Sequence, residues 1–245
     1  MAVILSIDLG NTRLKWWLEG PDWNDHGSIP NQALESGLRG LPWGMIEWIR
    51  VASVRDPSAT TAISVYIDSL SSPSCHIDTV EIQDFPAALS LPDTDRSQIG
   101  VDRYLAMLGA TATHASCVVI DAGTAVTIDI VDGCVHRGGY IVPGLQVAWQ
   151  ALVTQTDRIH ASTDRLYDAK LGPGFVTQAC VDHGVRLALV TLCEAIISKH
   201  AGAADHATLV TGGDGAWLIA HLPDGARYAP DLVKRGMDRY FSLRS

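Results

Sequence analysis

Apolar and polar residues alternate along this chain in a rhythm that plays twice. Residues 2–8 are almost continuously apolar, and Arg13-Leu14-Lys15-Trp16-Trp17-Leu18 then alternates, so a buried strand is expected to run into a half-buried one. Gly10 and Asn11 supply turn chemistry between them, and the pair reads as a hairpin. A stretch rich in Gly, Pro and Asn reads as a loop, followed by a strand from Ile46 to Val54. The pattern predicts a helix from Ser58 to Leu70 and a strand within Ser74 to Ile82. Pro86 and Pro92 then bracket a loop, and Val101, Leu105 and Leu108 mark an apolar helix face.

From Cys117 the rhythm restarts. Cys117 to Asp121 reads as a buried strand and Thr124 to Val131 as a second, and Gly133 turns the chain into a third from Val135 to Val142. A helix follows Pro143-Gly144, and a long apolar helix runs from about Phe175 to Lys199. Ala207 to Val210 is a short strand ending at Gly212-Gly213, followed by a helical segment. Leu232 to Leu243 reads as the last helix. No flexible linker interrupts the chain. The restart predicts an α/β protein of two similar domains, residues 1–113 and 114–245.

Composition narrows the class. With 245 residues, 47% hydrophobic and 18% charged, the chain can bury real cores, which excludes disorder, collagen and coiled coil. A net charge of −9 argues against a general nucleic-acid binder but leaves phosphate-bearing ligands open, because a local site can oppose the global charge. No run approaches 18 apolar residues, so no membrane span is expected. The N-terminus lacks a basic region and is interrupted by Asp8, so no signal peptide is expected either. Five widely spaced cysteines with no CxxC pair read as thiols of a reducing cytoplasm.

The candidate chemistry is an internal echo. Asp8-Leu9-Gly10-Asn11-Thr12 closes the first strand of the first half, and Asp121-Ala122-Gly123-Thr124-Ala125 closes the first strand of the second. Each is an acid at a strand end, a Gly-containing tight turn, and a polar residue opening the returning strand. Glycine lets backbone N–H groups approach a phosphate, and the carboxylate can hold a cation that offsets phosphate charge. One such turn is an ordinary hairpin; two, facing each other across an interdomain cleft, would clamp a nucleotide. Neither a Walker A loop nor GxGxxG is present.

Three further segments add to this. Gly100-Val101-Asp102-Arg103 opens a helix, whose positive end favours an ionised Asp102 able to accept a proton, with Arg103 beside it to hold an anion. Gly138-Gly139-Tyr140-Ile141-Val142-Pro143-Gly144 is either a tight packing corner or a backbone surface for ligand. Thr211-Gly212-Gly213-Asp214-Gly215 is either a simple turn or a place for a nucleoside against bare backbone.

Taken in order, these segments and Pro230-Asp231-Leu232-Val233 resemble the type III pantothenate kinase family, of the acetate-and-sugar-kinase, Hsp70 and actin superfamily. The resemblance implies a duplicated ribonuclease-H-like (actin-like ATPase) fold and transfer of the ATP γ-phosphoryl group to the primary hydroxyl of pantothenate, the first committed step toward coenzyme A. It implies that Asp8, Leu9, Gly10, Asn11, Thr12, Arg13, Leu14 and Lys15 form the first phosphate loop, with Asp8 toward magnesium (Mg2+) and Lys15 toward phosphate. Asp102 would be the general base within the substrate-binding run Gly100, Val101, Asp102, Arg103. Asp121 would hold a monovalent cation, K+ or NH4+, and Thr124 would contact ATP phosphate. Thr177 would contact the substrate from the partner subunit of a homodimer.

Two departures from the family pattern lie on the acceptor side. Asp93, Arg96 and Ile99 stand where the family often has Tyr, Pro and Leu ahead of the catalytic Asp, and Val176 stands where Asn usually precedes the threonine. These departures favour, as an alternative, a superfamily kinase for another small hydroxylated acceptor; separate alternatives are a non-catalytic ATP-binding regulatory protein and a phosphatase or nucleotide hydrolase on this fold.

Overall fold

The computed structural model describes residues 2–55, 57–81, 87–92, 98–159, 162–168, 170–200 and 206–244; Ile82, Pro86, Asp93 and Arg96 lie outside these. The chain forms two compact units. The first takes in the described residues up to Ala88, the stretch ending at Gly109, and those from Val233 on; the second takes in Leu89–Pro92 and Ala110–Leu232.

In the first unit, β1 (Ile4–Leu9) is central. It pairs antiparallel with β2 (Arg13–Glu19), which pairs antiparallel with β3 (Asn24–Pro30). On its other side β1 runs parallel to β4 (Trp48–Ser53), and β4 parallel to β5 (His76–Thr79), giving the order β3-β2-β1-β4-β5. Helices α1 (Leu34–Arg39), α2 (Pro57–Leu70) and α3 (Val101–Ala110) complete the chain to this point. Leu5, Ile7 and Leu9 alternate onto one face of β1 and pack with Leu14, Leu18, Ile29, Leu38, Ile49 and Ile67 into a core.

The second unit repeats this topology. Its central strand β6 (Cys117–Ala122) is flanked by an antiparallel pair, β7 (Ala125–Asp132) and β8 (Val135–Pro143), and by parallel β9 (Ala207–Thr211) and β10 (Ala226–Tyr228). The order β10-β9-β6-β7-β8 is that of the first sheet with each strand replaced by its counterpart. The turn from β7 to β8 puts Gly133 and Cys134 at φ +57° and +59°, a two-residue hairpin geometry that matches strand twist. Helices α4 (Leu145–Gln155) and α5 (Thr177–His200) pack Leu145, Trp149, Val181, Val185 and Cys193 against Ile120, Val126 and Ile128. The short helix α6 (Gly215–Ile219) follows β9.

The last helix, α7 (Leu232–Ser242), crosses back, and its residues from Val233 belong to the first unit. Met237 and Tyr240 are fully buried, and Lys234, 5% exposed, places Nζ 2.7 Å from Glu19 Oε2 and from both carboxylate oxygens of Asp238.

Three elements differ from the sequence expectation. The stretch read as a loop contains strand β3 and helix α1, and β10 goes unmarked in the sequence pattern. Strand β3 carries Asn24, Gly27 and Pro30, all poor strand formers, and only Ile29 is buried. Pairing overrides propensity here, because seven successive residues of β2 offer it partners, and Gly27 leaves room for the indole of Trp16, 2.8 Å from where a Cβ would sit. Among the described residues all five cysteines are unpaired; burial pushes the thiols of Cys117 and Cys193 up to about 12. No helix among them is long and apolar enough to cross a membrane.

Candidate active site

The first loop joins the C-terminal end of β1 to β2. Asp8 and Lys15 are directly opposed across the two strands, so their side chains leave the same face of the sheet, with Asp8 buried and Lys15 half-buried. Leu9 and Leu14, the next opposed pair, point the other way into the core and can offer a ligand only their backbone. Gly10 N donates to Arg13 O at 3.1 Å, and a Cβ at Gly10 would lie 2.9 Å from that oxygen, so glycine is what lets the turn close. Asn11 and Thr12 are exposed at the tip, and Arg13 is drawn sideways, its Nε and Nη2 donating to Ser28 Oγ at 3.1 and 2.8 Å.

Asn31, which carries no signal in the sequence pattern, ties this loop down. Its Nδ2 donates to Gly10 O at 3.2 Å and Asn11 O at 2.7 Å, and its backbone N donates to Thr12 O at 3.1 Å. The first strand end is anchored again by Val54 N, which donates to Leu9 O at 3.2 Å. With the carbonyls of Leu9, Gly10, Asn11 and Thr12 engaged in this way, the loop is fixed in place beside Asp8 and Lys15.

The second loop occupies the equivalent place, between β6 and β7, and is shorter: Gly123 N donates to Ala125 O at 3.1 Å. Two glycine-bearing segments press on it. A Cβ on Gly144 would collide with the carbonyl oxygen of Gly123, and one on Gly212 would collide with Ala122 O and Asp121 Oδ1. Gly212 also needs its φ of +92°. The run from Gly138 to Gly144 is therefore a packing corner, since Gly139 likewise has no room for a Cβ beside Ile128 O. Beside it, His136 Nε2 and Asp129 Oδ1 pair at 2.9 Å, both buried.

Asp214, on the turn after Gly212-Gly213, is half-buried. Burial pushes its carboxyl up, a rise partly offset by a hydrogen bond from the Tyr167 hydroxyl. Tyr167 is itself pushed up to about 12 by burial and the neighbouring carboxylate.

Asp102 lies in the first turn of α3. Its Oδ1 accepts from Arg103 N at 2.7 Å and would stand 2.5 Å from a Cβ on Gly100, so Gly100 makes room for the carboxylate to fold back on the helix start. Arg103 is half-exposed. The helix is held from behind by α7, where Gly236 lies so close to Leu105 O that a Cβ there would collide with it, and Arg239 Nη1 donates to Leu108 O at 2.8 Å. Thr177 opens α5 and is exposed beside Val176 and Phe175.

Among the described residues no three His, Cys, Asp or Glu side chains cluster to hold a metal. A magnesium ion at Asp8 would thus draw most of its oxygen ligands from phosphate and water, which suits its chemistry. At Asp121 the carboxylate lies beside Ala122 O, where a Cβ on Gly212 would collide with both; Ala122 O accepts from Asp214 N at 2.9 Å, so the carboxylate is the charged oxygen donor there. That donor set fits a hard cation.

A family model for type III pantothenate kinases matches residues 4–199. The chain belongs to the type III pantothenate kinase family. The type III pantothenate kinase of Pseudomonas savastanoi pv. phaseolicola is 35% identical over 256 residues, covering 99% of this chain and all of that one. Solved structures with the same fold include a conserved Baf family protein from Campylobacter jejuni, at 20% identity and TM-score 0.68, covering 98% of each chain. MreB5 of Spiroplasma citri, bound to ADP, shares 9% identity at TM-score 0.55, over all of this chain and 97% of that one. The duplicated, actin-like α/β architecture expected of a type III pantothenate kinase is the one observed, two mixed sheets of matching order.

Proposed function

We propose that this chain transfers the γ-phosphoryl group of ATP to the primary hydroxyl of pantothenate, giving ADP and 4'-phosphopantothenate. The observation that carries this reading is the pair of acid–glycine hairpins at equivalent places in two sheets of equivalent order, in a chain of this family.

The first unit supplies the loop from Asp8 to Lys15, whose amides and Lys15 ammonium hold phosphate oxygens. Bound at Asp8 with the nucleotide, magnesium supplies positive charge where the transferring phosphoryl group gains negative charge. The second unit supplies Thr124 to the phosphates and Asp121 to a monovalent cation, K+ or NH4+. Gly100, Val101 and Arg103 hold the acceptor, Arg103 by charge. Asp102 takes the proton of the attacking hydroxyl as the oxygen bonds to phosphorus, and ADP leaves in line. Phosphoryl transfer asks the protein chiefly for position and charge, which is what two rigid strand-end loops provide.

Thr177 acts on the acceptor bound to a second copy in a homodimer. Support comes from its neighbours: Phe175 is 98% exposed and Val176 64% exposed, an apolar pair that a partner would cover. The unpaired cysteines and the need for ATP favour the cytoplasm as its place of work.

The test is an assay of ADP release with and without pantothenate. ADP release is expected to depend on pantothenate and to slow when potassium is replaced by a large inert cation. Asp102→Asn is expected to lower turnover about 10²–10⁴-fold while leaving ATP binding intact. Near wild-type turnover in that variant would remove Asp102 from its role, and pantothenate-independent ADP release would point to a hydrolase.

A further inference from the structure

The first unit holds a cavity of about 1090 Å³ that has no part in the reaction described above. One wall is the turn Asn31–Ala33 with α1, the other is α2, and Arg55 closes the end near β4. Its size is at the upper end of what small-molecule sites occupy. The walls are mixed: Leu34, Leu38 and Ile63 belong to or pack against the core, while Arg39, Arg55, Tyr66 and Glu35 bring polar groups. A bridge stiffens the polar side, with Arg39 Nε donating to Tyr66 OH at 3.0 Å and Tyr66 OH donating to Glu35 O at 3.2 Å.

Arg55 is the unusual member. Its backbone is fixed, since its N donates to Ser53 Oγ at 3.2 Å and its carbonyl accepts from Thr60 Oγ1 at 3.4 Å. Among the described residues its half-buried guanidinium has no carboxylate partner, in a protein whose net charge is −9. Among the described lining residues, two arginines against the single carboxylate of Glu35 make this a locally cationic cavity with an apolar floor. Such a lining selects an anionic head joined to an apolar body.

The cavity also touches one anchor of the loop proposed to hold phosphate and adjoins the other. Asn31 lines it and holds Gly10 and Asn11, and Arg55 follows Val54, whose N–H holds Leu9. We propose that this cavity is a binding site for an organic anion with an apolar body, and that its occupancy alters ATP binding through Asn31 and Val54. The coupling rests on the assignment of the Gly10–Thr12 loop to phosphate; the binding does not. By linkage the effect is reciprocal, so ATP changes the affinity of the anion by the same factor.

The test uses the full chain and the fluorescent sulfonate 1-anilinonaphthalene-8-sulfonate as probe, in saturating ATP so that the nucleotide site is filled. One probe molecule is expected to bind per chain, with affinity lowered at least tenfold by Arg55→Gln. Binding should be weakened at least tenfold in Val65→Trp, which projects a bulky ring into the cavity from a wall position 64% exposed and so leaves the fold intact. Octanoate and octyl phosphate are expected to displace the probe and octanol to fail; whichever anion displaces at lower concentration shows whether a carboxylate or a phosphate head is preferred. Probe binding within twofold of wild type in both variants, or displacement by octanol as effective as by octanoate, would overturn the site. With the site intact, octanoate should shift the KM for ATP at least threefold in wild type and not in Val65→Trp; an unmoved KM would overturn the coupling. Were the chain to turn over no pantothenate at all, the displacement experiments would still decide whether the site exists.

Discussion

Asn31 shows how the loop proposed to meet phosphate is held by a residue outside it. Each of its two side-chain hydrogen bonds contributes roughly 0.5–1.5 kcal/mol, together about 1–3 kcal/mol. Asn31→Ala removes both while keeping the backbone bond to Thr12 O. The KM for ATP is expected to rise about 5- to 150-fold, by that free energy, with the KM for pantothenate nearly unchanged. Steady-state kinetics with each substrate varied in turn checks this; equal rises in both would mean a general loss of structure instead. Asp8, Asp102 and Asp121 could be picked from the sequence because a carboxylate at a fixed offset from an apolar run and a glycine is a local signal. Asn31 could not, because its carbonyl partners lie 21 and 20 positions away and only the β2–β3 pairing brings them to it.

The helices and loops around the site are set by glycines that admit close backbone approach. Gly236 in α7 is the clearest, since a Cβ there meets Leu105 O of α3, one turn beyond Asp102. Gly236→Ala must push the two helices apart or distort them, at an overpacking cost of about 1–3 kcal/mol. The melting temperature is expected to fall by roughly 2–12 °C, given about 2–4 °C for each kcal/mol at this size. Turnover is expected to fall as well, because the displaced helix carries Asp102; calorimetry and the ADP assay read the two effects. A melting temperature unchanged within 1 °C would show that the contact relaxes without strain. Strand β3 makes the complementary point: its composition argues for a loop, and its ladder with β2 makes it a strand.

Across the molecule, two units of the same strand order are built by a chain that does not divide into two consecutive pieces. Helix α7 returns to the first unit and buries Val233, Met237 and Tyr240 there. At about 1.5–3 kcal/mol for each such side chain, the helix contributes roughly 5–9 kcal/mol, comparable to the whole stability of a domain. A chain ending at Asp231 is therefore expected to lose the fold of its first unit while β6, β7 and β9 persist. Hydrogen exchange would read this as fast exchange in β1, β2 and β4 beside continued protection in β6, β7 and β9. Protection retained in both sheets would show that α7 is dispensable. The acidic composition acquires a meaning at the same level: on the reading proposed above, a protein of net charge −9 that gathers ATP and an organic acid at carboxylates would draw on Lys15, Arg103, backbone amides and bound cations to do so.

What the sequence determined by itself is local. The two-residue alternation, the restart at Cys117 and the acid–glycine turns at strand ends follow from side-chain periodicity and turn sterics, each decided within about ten residues. They were enough to expect a duplicated α/β fold and to pick out the loops. What only the tertiary structure decided is everything that depends on a distant partner. Strand β3 owes its form to β2, Asn31 holds a loop from across the hairpin pair, and Gly144 and Gly212 close on the second loop from two separate segments. Helix α7 joins the first unit more than 200 residues after that unit's central strand. Such features are chosen by the burial of apolar surface and the pairing of backbone groups in the assembled chain, and these balances exist only once the whole is folded.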